Sequence, residues 1–123
     1  MDYSKMSDFE INMKVAELCL DYDSISQLPH IGMSVHWGDG ANWHTYNPCN
    51  NPADAWPIIT ANKINVEFEG DTIDGKDVWW SIASWGRTAA EHQFCTDINP
   101  LRAAMIVFLK MQESANVQDN PAR

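Results

Sequence analysis

The sequence has few basic residues, few cysteines and no long hydrophobic run. Its 123 residues include 8 Lys and Arg against 17 Asp and Glu, a net charge of −9. This charge has the wrong sign for binding a nucleic-acid backbone or an anionic membrane, because both interactions depend on Lys and Arg. Three widely spaced cysteines make a poor disulfide framework and indicate reduced thiols (Cys19, Cys49 and Cys95). The longest apolar run, Ala103–Leu109, is far shorter than the roughly 20 residues of a membrane-spanning helix. We therefore expect a soluble, intracellular protein.

Catalytic and metal-binding motifs are also missing. The chain contains no P-loop, no Gly-x-Ser-x-Gly and no Gly-x-Gly-x-x-Gly. Its four histidines and three cysteines lack the spacing of a structural zinc site, and His92 with Cys95 forms only a single loose pair. We expect no catalytic residues, no metal and no cofactor, and hence a protein that is not an enzyme.

Length and patterning predict one α+β domain, a small antiparallel sheet with about three helices packed on it. Residues 1–115 would form this domain, and residues 116–123 a polar C-terminal tail. Alternating apolar and polar residues predict the strands, listed in chain order: Ile31–Trp37, Asn42–Tyr46, Ile64–Glu69, Val78–Trp85 and Glu91–Cys95.

The first predicted helix, Asp8–Leu20, begins with a capping box formed by Ser7 and Glu10. Its apolar arc is wider than one core contact requires. Either this helix lies between the sheet and another helix, or part of its apolar surface is a subunit contact.

The second predicted helix, Ala53–Asn62, has two possible N-caps. Asp54 is the better choice, because Pro57 then occupies the third helical position, where its missing amide hydrogen costs nothing. With Asn51 as the cap, Pro57 would fall in the helix interior and kink it.

The last helix is predicted at Leu101–Ser114, with Asn99 as its cap and Pro100 in the first helical position. Apolar residues reach almost all round it, so we expect it to be central and buried.

Six tryptophans in the middle of the chain are the most unusual feature of the composition. They would form a stacking surface for a flat ligand such as a nucleobase, or alternatively fill the core of a small domain. In the strand Val78–Trp85, Trp79 and Trp85 share one face, which we expect another element to cover.

Arg102 lies in the first turn of the last helix, where its charge opposes the helix dipole. A cation at this position indicates either a bound anionic group such as a phosphate or an internal salt bridge with Asp97 or Asp54. Arg87 is the only other arginine away from the C-terminus, and it follows Trp85 closely. An anion would bind near these two arginines.

Two segments, residues 49–59 (CNNPADAWPII) and 99–109 (NPLRAAMIVFL), resemble the NinX family of small tailed-phage and prophage proteins. The opening residues 1–12 are similar to the start of that family as well, so the resemblance covers about a quarter of the chain. It implies a phage origin and expression in the bacterial cytoplasm, and it supplies no catalytic residues. Accessory phage proteins of this kind often antagonise host defences or adjust host DNA metabolism.

Both long motifs place an Asn-Pro pair at or just before a helix start. We expect these two helix N-termini to converge on one polar pocket that includes Asn50, Asn51, Asp54, Asn99 and Arg102. The alternative is that Asn-Pro pairs are simply good helix starts.

The leading hypothesis is a homo-oligomeric phage protein that binds and sequesters a nucleotide-type immune signalling molecule without catalysis. An acidic, DNA-mimic-like inhibitor of a host nuclease or another DNA-metabolism protein is the alternative, and a nucleotide hydrolase is a third. The candidate ligand-binding residues are Trp43, His44, Asn50, Asn51, Asp54, Trp56, Trp79, Trp85, Arg87, Asn99 and Arg102.

Overall fold

The computed structural model describes residues 2–21, 25, 34–38, 42–86 and 92–118. Three α helices follow a short 3-10 turn at Tyr3–Lys5: α1 at Asp8–Cys19, α2 at Pro52–Asn62 and α3 at Pro100–Gln118. The strands are β1 (Val35–Gly38), β2 (Trp43–Tyr46), β3 (Asn65–Ile73), β4 (Lys76–Trp85) and β5 (Gln93–Asp97). Strands β1 and β2 form an antiparallel pair, and a second antiparallel sheet has the order β3-β4-β5. The predicted α+β class is confirmed.

The predicted capping box starts α1. The hydroxyl of Ser7 accepts from the backbone amide of Glu10 at 3.1 Å, and the Glu10 carboxylate accepts from the Ser7 amide at 3.4 Å. Ile11 and Val15, one turn apart, are fully buried in the core. Leu18 is 51% exposed, so the apolar surface of α1 extends beyond what the core covers.

The prediction that Asp54 caps α2 is wrong. Asn51 is the cap: its side-chain oxygen accepts from the amide of Ala53 at 3.0 Å, and Pro52 takes the first helical position. Pro57 consequently lies inside the helix. A good cap followed by a proline at the first position outweighs the one backbone hydrogen bond that Pro57 cannot make. The carboxylate of Asp54 instead accepts from the Asn47 amide at 2.9 Å.

Helix α3 is central, as predicted. Its residues 103–109 are all buried, and it packs on β4 and β5 and contacts α1 and α2. It continues to Gln118, past the predicted end at Ser114. The sequence contains no helix breaker after Pro100 until Pro121, so nothing local ends the helix at Ser114. In the described part of the chain, no helix is long and apolar enough to cross a membrane.

The β3–β4 hairpin is longer than predicted. Residues 70–73, which lie between the two predicted strands, pair with β4, and only Asp74 and Gly75 form the turn, with φ angles of 53° and 78°. An Asp-Gly pair with both φ angles positive matches the right-handed twist of its strands, which lets the pairing continue to the tip.

Strand β5 lies about two residues later in the chain than predicted. Of the predicted first strand, residues 31–33 lie outside the described residues, and residues 35–37 are in β1.

One face of β4 changes from buried to exposed along its length. Ser81 and Ala83 are fully buried, and Trp85 packs against the core. Trp79, on the same face, is 66% exposed. The expectation that both tryptophans are covered is therefore correct for Trp85 and wrong for Trp79, because Trp79 lies where β4 extends past β5, which pairs only from Ser81 onward.

Candidate functional site

The N-termini of α1, α2 and α3 meet around Asn50. The side-chain amide of Asn99, the cap of α3, donates to the carbonyl of Cys49 at 2.7 Å and to the side-chain oxygen of Asn50 at 3.0 Å. The amide of Asn50 in turn donates to the carboxylate of Asp8 in the first turn of α1 at 3.0 Å. The two helix starts therefore lie close together, with a third beside them, but of the five residues expected to share one pocket only Asn50 lines the adjoining cavity of about 180 Å³.

Two asparagines that the sequence analysis did not select join this cluster to the core. Asn12 is 5% exposed; its amide donates to the side chain of Asn47 at 2.8 Å, and its oxygen accepts from the Cys49 amide at 3.0 Å. One local feature pointed to Asn47, since Asn47-Pro48 is a further Asn-Pro pair just before the first motif. Asn51 is connected to the cluster through Asp54, to whose carboxylate its side-chain amide donates a 3.4 Å hydrogen bond.

Arg102 is held by internal partners. Its side chain is 12% exposed, and it forms salt bridges with Asp8 at 2.7 Å and with Asp97 at 3.1 Å. The remaining guanidinium nitrogen donates to the carbonyls of Tyr3, Ser4 and Met6, the last at 2.6 Å.

The predicted salt bridge of Arg102 with Asp97 is therefore confirmed. The other proposed partner, Asp54, was wrong, because the chain folds Asp8 of α1 against Arg102 instead. Burial opposes the charged guanidinium, but the hydrogen bond and charge of Asp8, with the charge of Asp97, raise the pKa of Arg102 above its usual value. These two carboxylates offset the unfavourable position of the arginine at a helix N-terminus.

A cavity of about 180 Å³ adjoins the asparagine cluster. It is smaller than the roughly 300–1,000 Å³ of most small-molecule sites, so it has room for one ring or sugar of a larger ligand. Amide, hydroxyl and aromatic groups form most of its wall: Asp8, Phe9, Asn12, Ser34, Val35, Thr45, Tyr46, Asn47 and Asn50. Such a wall can hydrogen-bond the uncharged polar edge of a ligand.

The model of the bacteriophage P22 NinX family matches residues 2–112 of the chain. The chain belongs to this family. The match includes the asparagine cluster, the β3–β4 hairpin and most of α3. No curated protein and no solved structure matches the chain.

None of the tryptophans of this NinX-family protein, all of which are among the described residues, lines the 180 Å³ cavity beside the polar cluster. Trp43 on β2, Trp56 on α2 and Trp79 on β4 are 47%, 62% and 66% exposed. The ring of His44 lies 5.4 Å from the ring of Trp37, its cross-strand partner. Arg87 lies outside the described residues, so the structure does not place it.

The three thiols are free, as predicted. Cys49 and Cys95 are buried and Cys19 is exposed. Burial, followed by the charge of Asp8, raises the pKa of Cys49 to about 12. A thiol with this pKa is a poor nucleophile at neutral pH. Among the residues described for this NinX-family chain, no three His, Cys, Asp or Glu side chains are grouped so as to hold a metal ion.

Proposed function

We propose that this phage protein antagonises host defence by binding and sequestering a nucleotide-type signalling molecule, without chemical change. The observation that carries the proposal is the convergence of three helix N-termini, with Asn50 and Asn99 in contact, beside a cavity with a hydrogen-bonding wall. Sequestration requires affinity and copy number but no reactive group, and the sequence contains none of the catalytic motifs sought.

The polar wall suits the base or ribose of a nucleotide. Thr45 is exposed at the cavity and offers a hydroxyl to a ligand. Arg102 is tied to two carboxylates, so we assign it the role of positioning the helix starts, and Arg87 is kept as a candidate for the phosphates on the sequence alone. Because the cavity holds only part of a nucleotide, we expect a second copy of the chain to complete the site.

A thermal-shift screen of the purified protein tests sequestration. The panel contains cyclic mononucleotides, cyclic dinucleotides and linear and cyclic ADP-ribose derivatives. At a ligand concentration 100 times Kd, binding stabilises the fold by about 2.7 kcal/mol. Ligand recovered unchanged after denaturation distinguishes sequestration from hydrolysis. No shift with any compound would refute the proposal.

A matched pair of threonine variants locates the site. Thr45→Val removes a hydroxyl from the 180 Å³ cavity, and Thr96→Val removes one from a separate groove of about 560 Å³ beside β5. We expect the first variant to weaken nucleotide binding and the second to leave it unchanged. The reverse result would place the ligand in the groove beside β5 and contradict the role given to the asparagine cluster.

The second candidate is an acidic protein–protein inhibitor of a host nuclease or another DNA-metabolism protein. It is favoured by the net charge of −9 and by a local concentration of that charge on the β3–β4 hairpin. Such a protein would ignore nucleotides and bind a basic protein surface in a strongly salt-dependent way.

A further inference from the structure

The far part of the β3–β4 hairpin, residues 67–80, is called the arm here. Strand β5 pairs with β4 only from Ser81 to Trp85, so residues 69–80 of the arm extend past it as a two-stranded ribbon, and Glu67 and Phe68 lie at the base of that ribbon. The pairing places Phe68 and Trp79 on the same face as the buried Ser81. Phe68 and Trp79 are each 66% exposed, so the arm presents two aromatic side chains to solvent.

The indole of Trp79 lies over Gly70, its cross-strand partner. The Cε3, Cζ3 and Cδ2 atoms of the ring are within 2.7–2.9 Å of the position that a Cβ atom on Gly70 would occupy. Only glycine therefore permits this close approach of ring and backbone. The contact sets the ring against the ribbon and leaves the opposite ring face toward solvent, which is the geometry of a stacking platform.

The arm is also the most acidic part of the described chain. It contains five acidic residues and one lysine, a net charge of −4 out of −9 for the whole chain. Glu67, Glu69 and Asp71 alternate along β3 and share the face opposite Trp79. Asp77 shares the face of Trp79, and its carboxylate accepts a 3.0 Å hydrogen bond from the Thr72 hydroxyl. The exposed rings of Phe68 and Trp79 therefore lie on one face of the ribbon, and the acidic row lies on the other.

Two simpler explanations account for only part of this surface. Acidic residues on an edge strand prevent pairing with another strand of like charge, but this gives no role to Phe68 and Trp79. A second copy of the chain is a poor occupant, since each arm carries a charge of −4 and two arms repel. Charge complementarity favours an occupant that is both basic and partly apolar.

We propose that the arm is a docking surface for an extended, basic and partly apolar segment of a partner protein that lies along β3. Apolar side chains at alternate positions of the segment pack against Phe68 and Trp79 and remove these rings from water. Basic residues at alternate positions of the segment meet the acidic row of β3. This proposal deepens the second candidate function and does not depend on the nucleotide site.

The test uses a nine-residue peptide in which arginine and valine alternate. The control, a block peptide, has the same composition, but all its arginines precede all its valines. Isothermal titration at 50 and 200 mM NaCl measures binding to the full chain. We expect the alternating peptide to bind more tightly than the block peptide, and more weakly at the higher salt concentration. Equal binding of the two peptides, or no binding, would overturn the proposal.

Variants of the protein localise the contact. Trp79→Ala is expected to weaken binding of the alternating peptide by about five-fold, because the valines lose an aromatic ring to pack against. A variant carrying Glu67→Gln, Glu69→Gln and Asp71→Asn should weaken binding further and reduce its salt dependence. Phe94→Ala, which removes a ring 55% exposed on β5, is the matched control and should leave binding unchanged. Equal effects of Trp79→Ala and Phe94→Ala would contradict a docking surface on the arm.

The nucleotide panel is measured on the same protein preparation. A nucleotide-induced shift without peptide binding overturns the docking proposal alone. Peptide binding without any nucleotide-induced shift supports the arm and overturns sequestration.

Discussion

Arg102→Ala is expected to lower the free energy of unfolding by about 3–5 kcal/mol, the usual cost of removing one partner from a buried ion pair. The guanidinium joins α3 to Asp97 at the end of β5 and to Asp8 at the start of α1. Its loss also leaves the carbonyl of Met6 without its 2.6 Å donor. Each charge-assisted hydrogen bond contributes about 1.5–3 kcal/mol, and the 43% exposure of Asp8 puts its share at the lower end.

A loss of this size is large against the roughly 5–15 kcal/mol of a typical domain. It corresponds to a fall in melting temperature of about 10–20 °C for a domain of this length. Thermal and urea denaturation followed by circular dichroism measure it. Arg102→Lys should recover part of the loss, because an ammonium keeps the charge but cannot make the forked contacts to two carboxylates.

A double-mutant cycle of Arg102→Ala with Asp97→Asn isolates the pairwise contribution, for which we expect a coupling energy of about 1 kcal/mol or more. If Arg102→Ala melts within about 2 °C of the parent protein, the network around it does not hold the helices together. The arginine would then have to be reconsidered as a direct ligand of a bound anion.

Asn51→Ala should cost about 1 kcal/mol in urea denaturation, because the Ala53 amide loses its cap; an unchanged midpoint would contradict Asn51 as the cap. Iodoacetamide at neutral pH should label the exposed Cys19 slowly, because partial burial also raises the pKa of its thiol, and should spare the fully buried Cys49; mass spectrometry of the native protein would reveal any adduct on Cys49. The melting temperature should fall as the pH rises above about 9. Burial raises the pKa of Cys49 to about 12, and burial with Glu113 raises that of Tyr3 to about 12. The unfolded chain therefore loses these protons first, and a flat profile from pH 8 to 11 would contradict these shifts.

The helix starts show which features of the fold short sequence patterns predict. The capping box of Ser7 and Glu10, and the cap of α3 by Asn99, were predicted because their hydrogen bonds join residues only two or three positions apart. The cap of α2 was mispredicted although it is equally local. The favourable start that Asn51 and Pro52 provide outweighs the cost of Pro57 inside the helix, so a proline alone does not decide where a helix begins.

Contacts between residues far apart in the chain could not be predicted from the sequence. The sequence indicated that Arg102 needs an anion and suggested Asp97, five residues away, but the contact with Asp8 spans 94 residues. The buried role of Asn12 could not be predicted either, because its partners, Asn47 and Cys49, come from a loop more than 30 residues away.

The sequence by itself determined the α+β class, the capped helix starts and the family resemblance, because these depend on periodicity, caps and motifs within short segments. Only the tertiary structure decided that three helix starts meet at one cluster and that Arg102 is bound within it. It also decided that Trp79 projects on an acidic arm while Trp85 packs on the core. Both tryptophans lie on the same face of β4, but β5 pairs only with the part of the strand that holds Trp85.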